Sequence, residues 1–249
     1  MISKVQNDRP SQVVILAGGR GERLRPLTDS IPKPMAPING RPFLDYLLTA
    51  LADAGFSEAV FLLGYRGEVI KERYKKNFGI QTIFSFGSTA DQTGRRLTNA
   101  HPLLDERFLL VYGDNYWPLD VQAMWAQYCT IGAAVQTTVF ANLEGTGEYG
   151  FQNNVLVDAG NRVRLYDKSR RNNHCNGVDI GFFIVDKRVV SPEKKDNWSF
   201  EEDLLPELIS KGELSAYVTQ KQYYYITDIS ALKHFENVVI NENRLNLNM

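Results

Sequence analysis

Hydrophobic and polar positions follow two different periods along the first half of the chain. Short apolar runs, such as Val13–Leu16, are typical of buried strands. The segments between them carry apolar residues at helical spacing or charged helical surfaces. The predicted strands are Val13–Ala17, Glu58–Leu63, Gln81–Phe86 and Phe108–Tyr112, and the predicted helices are Pro42–Ala54, Glu68–Lys76 and Leu119–Tyr128. This β-α-β-α order predicts a parallel sheet covered on both faces, with ligands bound at the carboxyl ends of its strands.

The second half of the chain is predicted to extend the same sheet and to form a substrate-binding lobe. Its predicted strands are Ala133–Ala141, Val155–Val157, Val163–Tyr166 and Val178–Val185, and its predicted helices are Phe200–Ser210 and Ser230–Val239. We therefore expect a single domain over residues 12–240, with halves at 12–130 and 131–240. Residues 1–11 are expected to form a flexible arm, and residues 241–249 a polar tail.

Composition narrows the class of protein. The 249 residues are 43% hydrophobic and 23% charged, which is typical of a globular domain with a large core. The net charge of −1 argues against nucleic acid as the main partner. No apolar run has the length of a membrane span and no signal segment is apparent, so we expect a cytoplasmic protein with no membrane partner. Cys129 and Cys175 lack metal-ligand spacing and are expected to be reduced thiols.

The segment after the first predicted strand is the most informative one. Three glycines, Gly18, Gly19 and Gly21, follow that strand directly. Glycine-rich turns allow close approach of a ligand, and their successive N–H groups form a concave site for anions. Arg23 and Lys33 add positive charge, since arginine binds phosphate in a bidentate manner and lysine acts as a compact point charge. The sequence therefore predicts a polyphosphate site.

Two common phosphate-binding loops do not fit this segment. The P-loop requires Gly-Lys-Ser or Gly-Lys-Thr at its end, whereas Glu22 and Arg23 follow Gly21. The dinucleotide fingerprint that starts at Gly19 requires a third glycine at position 24, which is Leu24. A dinucleotide-dependent oxidoreductase is therefore disfavoured.

A longer pattern, Leu16–Leu48 (LAGGRGERLRPLTDSIPKPMAPINGRPFLDYLL), resembles the signature of the nucleotidyltransferases that make nucleotide sugars. The resemblance implies an α/β fold, a Rossmann-like three-layer sandwich with a mixed, mainly parallel central sheet. It also implies a Mg²⁺-dependent reaction in which a nucleoside triphosphate and a sugar 1-phosphate give an NDP-sugar and pyrophosphate. Residues 12–130 would then bind the nucleotide and residues 131–240 the sugar. The implied catalytic residues are Arg23 and Lys33, and the implied nucleotide-binding residues are Leu16, Ala17, Gly18, Gly19, Gly21, Gln92 and Gly94.

Two aspartates that follow apolar runs are the candidate metal ligands. Asp114 comes after Leu109–Gly113, and Asp228 comes after Tyr223–Thr227. Mg²⁺ prefers carboxylate oxygens and water as ligands, so one or two aspartates are enough to bind it. The resemblance implies magnesium-binding aspartates at both positions. A turn residue remains an alternative for Asp114, and a helix N-cap remains one for Asp228.

The resemblance also implies residues that contact the sugar phosphate. Asp167 and Lys168 stand where the family has Glu-Lys, which suggests contacts to the sugar hydroxyls and to the phosphate. Gly150 matches a glycine that contacts the sugar. Asp179 stands where the family usually has asparagine, and a carboxylate accepts hydrogen bonds but has no amide N–H to donate. A solvated ion pair is the alternative for Asp167 and Lys168.

The resemblance leaves the base and the sugar open. Gln92–Leu97 stands where many relatives have Gly-Thr-Gly-Gly-Ala-Leu, which helps to hold the base, and Arg95 and Arg96 depart from that pattern. Lys33–Leu44 resembles heptose 1-phosphate guanylyltransferases, whereas Gln92–Leu97 and Tyr112–Asp114 resemble glucose-1-phosphate cytidylyltransferases. We favour GTP and a heptose or mannose 1-phosphate as the substrates, with a role in surface polysaccharide synthesis. The alternative substrates are CTP and glucose 1-phosphate or another phosphorylated acceptor. A non-catalytic nucleotide-sugar sensor on the same fold is the alternative of another class, and a homo-oligomer is left open.

Overall fold

A computed structural model describes residues 9–76, 78–194 and 196–246, which form an α/β fold around one central sheet. The strands are β1 (Gln12–Ala17), β2 (Pro37–Ile38), β3 (Arg41–Pro42), β4 (Glu58–Leu63), β5 (Gln81–Phe86), β6 (Arg107–Tyr112), β7 (Asn115–Tyr116), β8 (Val135–Phe140), β9 (Val155–Val157), β10 (Val163–Tyr166), β11 (Val178–Asp186), β12 (Leu214–Thr219) and β13 (Tyr224–Tyr225). The α-helices are α1 (Phe43–Asp53), α2 (Gly67–Tyr74), α3 (Thr93–Ala100), α4 (Val121–Ile131), α5 (Leu205–Ser210) and α6 (Ile229–Asn246). A π-helical segment, Phe200–Leu204, leads into α5, and short 3₁₀ turns lie at Glu22–Leu24, Leu27–Asp29, Lys33–Met35, His101–Leu103 and Lys187–Val189.

The central sheet is mixed and mainly parallel, which confirms the predicted fold class. Seven strands of the described residues form it in the order β12-β8-β11-β6-β1-β4-β5. Strand β11 is antiparallel to both of its neighbours, β6 and β8, and the other pairs are parallel. Strands β8, β11 and β12 come from the second half of the chain, so both halves contribute hydrogen-bonded strands to one sheet.

Helices cover both faces of this sheet because alternate strand residues point to opposite sides. On β1, Val13 and Ile15 lie in the apolar cluster that contains Leu47 of α1 and residues of α4. Val14 lies in a second cluster, with Leu97 of α3 and residues of the Phe200–Leu204 segment and α5. The three layers leave the carboxyl ends of the parallel strands open at one edge. None of the helices in the described residues is long and apolar enough to cross a membrane.

Two elements of the central layers are missing from the sequence prediction. Helix α3 carries a glycine and two arginines, and β12 includes the polar residues Ser215 and Thr219. Both form because of tertiary contacts: α3 buries Leu97 against the sheet, and β12 pairs with β8 from Leu214 to Thr219. These contacts override the weak local preferences.

The chain ends differ from the prediction where they are described. The Arg9 Nη1 donates to the Ala54 carbonyl at 2.9 Å, and the Ser57 N–H donates to the Ser11 carbonyl at 2.9 Å, so residues 9–11 pack on the domain and do not form an arm. Helix α6 continues to Asn246, so residues 241–246 of the predicted tail are helical. Residues 1–8 and 247–249 lie outside the described residues.

A buried carboxylate joins the first two helices. Asp45 of α1 accepts hydrogen bonds from Arg73 Nε at 3.0 Å, Arg73 Nη2 at 2.5 Å and the Tyr74 hydroxyl at 2.5 Å, both on α2. A bidentate arginine–carboxylate pair of this kind is strong and directional. The pair therefore fixes the position of α2 against α1, on the face of the sheet that they share.

We expect Asp45→Ala to lower the free energy of unfolding by about 2–3 kcal/mol, because Tyr74 would keep a buried hydroxyl without its acceptor. The half-exposed Arg73 returns partly to solvent, which limits the loss. Urea unfolding followed by circular dichroism measures this. Asp53→Ala, on the exposed side of the same helix, is the control and should change stability by less than about 0.5 kcal/mol. Equal losses for the two variants would contradict this role of Asp45.

Candidate active site

The glycine-rich loop between β1 and the first 3₁₀ turn folds back onto Lys33. Gly21 has φ of +64°, in the left-handed region that favours glycine, and a Cβ there would lie 2.8 Å from the Lys33 Cβ. The Thr28 hydroxyl donates to the Gly21 carbonyl at 2.9 Å and holds this turn. Only glycine combines this backbone conformation with such close packing. The loop therefore packs directly against the Lys33 side chain.

A cavity of about 650 Å³ lies at the carboxyl edge of the sheet, in front of this loop. The sequence-predicted residues that line it are Leu16, Ala17, Gly18, Gly19, Gly21, Arg23, Lys33, Gln92 and Asp114. It is also lined by Arg20, Glu22, Pro34, Thr89, Asp91, Thr93, Arg96, Tyr112, Glu201 and Thr227. The structure thus brings nine of the predicted residues to one cavity, although they come from four separate segments of the chain.

Asp114 and Lys33 form an ion pair in this cavity. The Lys33 side chain is 12% exposed, and its Nζ donates to Asp114 Oδ2. Asp114 is placed here by Gly113, whose N–H donates to the Leu16 carbonyl at 3.0 Å and whose Cβ, if present, would lie 2.9 Å from that oxygen. The ends of β1 and β6 therefore approach so closely that a glycine is required between them. The pair puts opposite charges side by side at the cavity wall.

Arg23 lies at the mouth of the cavity and reaches the second half of the chain. Its side chain is 61% exposed, and Nη1 donates to the Tyr149 hydroxyl at 2.8 Å and lies 3.5 Å from Glu148 Oε1. The guanidinium of Arg170 covers the Tyr149 ring, 4.4 Å from its centroid. An exposed arginine with hydroxyl and carboxylate partners keeps its charge available to an anion in the cavity.

Asp228 caps helix α6 and does not line the main cavity. Its Oδ1 accepts from the Ala231 N–H at 2.9 Å, and it lies at a neighbouring cavity with Glu148. The adjacent Thr227 does line the main cavity, and the Ile226 N–H donates to the Asp114 carbonyl at 3.1 Å. The two predicted metal ligands thus lie on hydrogen-bonded segments, with one carboxylate in the main cavity and the other at a helix N-terminus.

The Asp114 carboxylate has the chemistry of a magnesium ligand and faces the main cavity. Mg²⁺ takes oxygen ligands, usually one or two carboxylates with water and phosphate oxygens completing the octahedron. Among the described residues no group of three or more histidine, cysteine, aspartate or glutamate side chains is arranged to hold a metal. Asp114 presents its carboxylate to the main cavity, whereas the Asp228 carboxylate is engaged as the cap of α6.

The four residues predicted to contact the sugar phosphate lie outside the described lining of the main cavity. The Asp167 carboxylate accepts hydrogen bonds within its own turn, including one from the Asn172 N–H at 2.8 Å. Lys168 Nζ lies 3.4 Å from Glu202 Oε2, in an exposed pair. Gly150 has φ of +59°, and its carbonyl accepts from Asn142 Nδ2 at 2.8 Å. Asp179 is buried behind the cavity wall.

Gly94 also lies away from the cavity. A Cβ at this position would lie 2.1 Å from Cε3 of Trp198, and the Arg95 N–H donates to the Trp198 carbonyl at 3.1 Å. The glycine therefore allows α3 to pack on the Trp198 ring. Gln92, at the start of α3, lines the cavity, and its N–H donates to Asn197 Oδ1 at 2.7 Å.

The acidic residue Glu201 lies in the cavity wall and is buried. Glu201 accepts hydrogen bonds from the Tyr112 hydroxyl at 2.6 Å, the Thr93 hydroxyl at 2.6 Å and the Ser199 hydroxyl at 3.0 Å. These three hydroxyls hold the Glu201 carboxylate at the cavity wall, and Glu201 in turn fixes the Tyr112 side chain at the end of β6.

Asp179 lies behind Glu201 and is also surrounded by neutral donors. It accepts from the Thr137 hydroxyl at 2.8 Å, the Gly181 N–H at 3.0 Å and the Tyr166 hydroxyl at 3.1 Å. Burial raises the pKa of Asp179 to about 6, and the charge of Glu201 adds to the increase, against the opposing effect of these hydrogen bonds.

The family model for nucleotidyl transferases matches residues 12–239, which include the loop, Lys33, Asp114 and Glu201. The chain belongs to the nucleotidyl transferase family. Its homologues are sugar-1-phosphate guanylyl-, cytidylyl- and uridylyltransferases, so it is a sugar-1-phosphate nucleotidyltransferase.

Two relatives cover nearly the whole of this nucleotidyltransferase. A probable glucose-1-phosphate cytidylyltransferase of Bacillus subtilis is 30% identical over 91% of this chain and 94% of its own. A D-glycero-alpha-D-manno-heptose 1-phosphate guanylyltransferase of Campylobacter jejuni is 27% identical over 92% of this chain and 99% of its own. Among solved structures, HddC from Yersinia pseudotuberculosis has a TM-score of 0.78 at 25% identity, covering 92% of this chain and 99% of that chain. The same protein complexed with GMP-PN has a TM-score of 0.75 at 26% identity, covering 90% of this chain and 96% of that chain.

Ten of the residues that line the nucleotidyltransferase cavity are absent from the sequence prediction, and they include Arg96, Tyr112, Glu201 and Thr227. Arg96 stands out in the sequence only as a departure from a family pattern, and Tyr112 only by its place before Gly113-Asp114. Glu201 belongs to the acidic run Glu201-Glu202-Asp203, and no local signal marks which member is buried. Their shared position depends on contacts across about a hundred residues.

We expect Asp179→Asn to stabilise the protein at pH 7.5 relative to the wild type and to have little effect at pH 4. The folded-state pKa of about 6 exceeds the ordinary value of 3.8, so the stability of the wild type falls as pH rises from about 4 through 6. The difference in free energy of unfolding between variant and wild type should shift by about 2–3 kcal/mol over that window. Thermal and urea unfolding at both pH values measure it.

Asp158→Asn is the control for this pH effect. The Arg162 N–H, together with the Arg164 side chain and the Gly160 N–H, lowers the pKa of the partly exposed Asp158 carboxyl. Its contribution to stability therefore changes only below about pH 4, so the difference between Asp158→Asn and wild type should stay nearly constant between pH 4 and pH 7.5. A pH-independent difference for Asp179→Asn would contradict the raised pKa.

Proposed function

We propose that this nucleotidyltransferase transfers guanylyl groups from GTP to a heptose or mannose 1-phosphate, with Mg²⁺ as its cofactor and pyrophosphate as the leaving group. The observation that carries the proposal is the cavity at the carboxyl edge, where the glycine-rich loop, Lys33 and Asp114 converge. The similarity to a heptose 1-phosphate guanylyltransferase over nearly the whole chain supports guanine and a heptose. HddC, the structural neighbour solved with GMP-PN, supports the same base.

The reaction needs positioning and charge neutralisation more than covalent chemistry from the protein. A phosphate oxygen of the sugar 1-phosphate attacks the α-phosphorus, and the bond to the β-phosphate oxygen breaks. The N–H groups of the loop would hold the triphosphate, Lys33 would neutralise charge near the α-phosphate, and Arg23 at the mouth would stabilise the departing pyrophosphate. Asp114, with Asp228 as a second ligand, would hold Mg²⁺, which when bound neutralises phosphate charge.

The sugar end of the site is proposed to lie toward the second half of the chain. Arg23 already contacts Tyr149 beside Gly150, and Glu201 presents a carboxylate acceptor in the cavity wall. Asp167, Lys168 and Asp179 remain proposed sugar-phosphate residues, and Gly94 a proposed nucleotide-site residue that acts through the packing of α3. We further propose a cytoplasmic enzyme of surface polysaccharide synthesis, with NTP and sugar 1-phosphate as its partners.

Cytidylyl transfer to glucose 1-phosphate is the second candidate. The Bacillus subtilis relative, at 30% identity over 91% of this chain, supports it. The triphosphate-binding loop serves either base, so the two candidates differ only in the base and sugar contacts.

Pyrophosphate release, measured with ATP, GTP, CTP and UTP against heptose, mannose and glucose 1-phosphates, tests the proposal. We expect the highest kcat/KM for GTP with a heptose or mannose 1-phosphate. A preference for CTP with glucose 1-phosphate would establish the second candidate instead. No release with any pair, together with nucleotide binding in calorimetry, would indicate a sensor and contradict the enzymatic proposal.

We expect Asp114→Asn to reduce kcat by roughly 1,000-fold or more, because it removes the charge that would bind the metal ion. The amide oxygen still accepts from Lys33, so the free energy of unfolding should fall by only about 1 kcal/mol. The exposed Asp53→Asn variant on α1 is the control and should keep wild-type turnover. A fully active Asp114→Asn enzyme would remove this residue from the proposed metal site.

Removal of divalent cations is expected to stop pyrophosphate release by the wild type. Added Mg²⁺ should restore it, and nucleotide binding without metal should be weaker because the phosphate charges are then less neutralised. Turnover that persists in excess chelator would contradict the proposed cofactor.

A further inference from the structure

A single buried guanidinium joins the carboxyl ends of three neighbouring strands. Arg96 of α3 is 5% exposed and donates to the carbonyls of Leu63 at 2.7 Å, Ser88 at 2.8 Å and Gly18 at 3.3 Å. These carbonyls lie at or just past the ends of β4, β5 and β1, where the ladders of the sheet stop. Each of these carbonyls also accepts a backbone N–H, from Gly87, Asp91 and Tyr65 respectively, and the planar guanidinium adds a second hydrogen bond to all three.

Two glycines make room for this guanidinium. A Cβ on Gly18 would lie 2.3 Å from the Arg96 Cζ, and a Cβ on Gly64 would lie 2.7 Å from its Nη1. The plane of the side chain therefore lies directly against the first glycine of the phosphate-binding loop. Any displacement of Arg96 must move Gly18 or leave a gap beneath it.

The charge of Arg96 is not neutralised by an ion pair in the described part of the chain. Its hydrogen-bond partners are backbone carbonyls, and Asp91 acts on it only through space. Burial lowers the pKa of Arg96, although an arginine remains charged at neutral pH. Because Arg96 lines the main cavity, an anion bound there gains from a positive charge that water screens poorly.

We propose that Arg96 is a positioning residue for the nucleoside triphosphate, which it serves by holding the Gly18 carbonyl and the glycine-rich loop in the receptive conformation. It also supplies fixed positive charge beneath the anion site. The inference rests on the proposed function for the identity of the ligand, but the contacts to Gly18, Leu63 and Ser88 do not depend on it.

Equilibrium binding of GTP and CTP to the full-length chain, by calorimetry without sugar phosphate, tests the role of Arg96. We expect Arg96→Ala to raise the Kd for the bound nucleotide roughly 10- to 100-fold, the scale of a loop displaced by about 1 Å. The neighbouring Arg95→Ala, outside the described cavity lining, should stay within about threefold of wild type. Wild-type affinity in a folded Arg96→Ala variant would overturn the proposal.

Steady-state kinetics separate positioning from a general loss of structure. The KM for the nucleotide should rise with its Kd in Arg96→Ala, while the KM for the sugar 1-phosphate stays within about threefold. Parallel increases in both constants would indicate a structural role only and would overturn the proposal. If no substrate pair turns over, the proposed function fails, whereas the binding measurement still decides the role of Arg96.

A double-mutant cycle in thermal unfolding tests the packing itself. Gly18→Ala should lower the Tm by roughly 3–8 °C in the wild type and by much less in the Arg96→Ala background, because the three atoms nearest to that Cβ all belong to Arg96. Gly64→Ala is the matched control: its Cβ would also lie 2.6 Å from the Gly18 carbonyl oxygen, so it should be destabilising in both backgrounds. An equal effect of Gly18→Ala in the two backgrounds would overturn the proposed contact.

Discussion

The candidate site depends on how the backbone groups past the ends of the parallel strands are satisfied. A strand that ends inside a protein leaves carbonyls without ladder partners, and burying them unpaired is costly. Here the Leu16 carbonyl accepts from Gly113 and the Gly18 carbonyl accepts from Tyr65, with Arg96 donating to Gly18 and to two further carbonyls. The same contacts that satisfy the backbone bring the loop, α3 and the end of β6 around one cavity.

Positive and negative groups both line that cavity. The cationic residues are Arg20, Arg23, Lys33 and Arg96, and the acidic residues are Glu22, Asp91, Asp114 and Glu201. The Lys33–Asp114 pair places the two charges side by side in the cavity. A phosphate and a metal ion bound there would each find a partner of opposite charge, as the proposed reaction requires.

Local sequence patterns predict the strands well where burial is continuous, and poorly where tertiary contacts decide. The strand Gln81–Phe86 has the predicted bounds, and Phe108–Tyr112 differs from the structure by one residue, because short apolar or alternating runs are strong signals. Helix α3 has no such signal, since it contains Gly94 and two arginines. It forms because Leu97 packs on the sheet and Gly94 packs on Trp198, which is about a hundred residues away.

The residues of the candidate site also fall into two groups, those that a local sequence pattern indicates and those that only tertiary contacts bring together. Residues close together in sequence, from Leu16 to Lys33, were predictable because one loop carries them, and Asp114 because it ends a buried strand. The contributions of Arg96 and Glu201 depend on the packing of distant segments, so no local pattern identifies them. Asp228 shows most clearly what local sequence does not distinguish. An aspartate that caps a helix and an aspartate that binds a metal ion can have the same neighbouring residues. The pairing of Asn115 with Tyr225 and the hydrogen bond from the Ile226 N–H bring the segment before Asp228 beside Asp114, while the Asp228 carboxylate caps the helix.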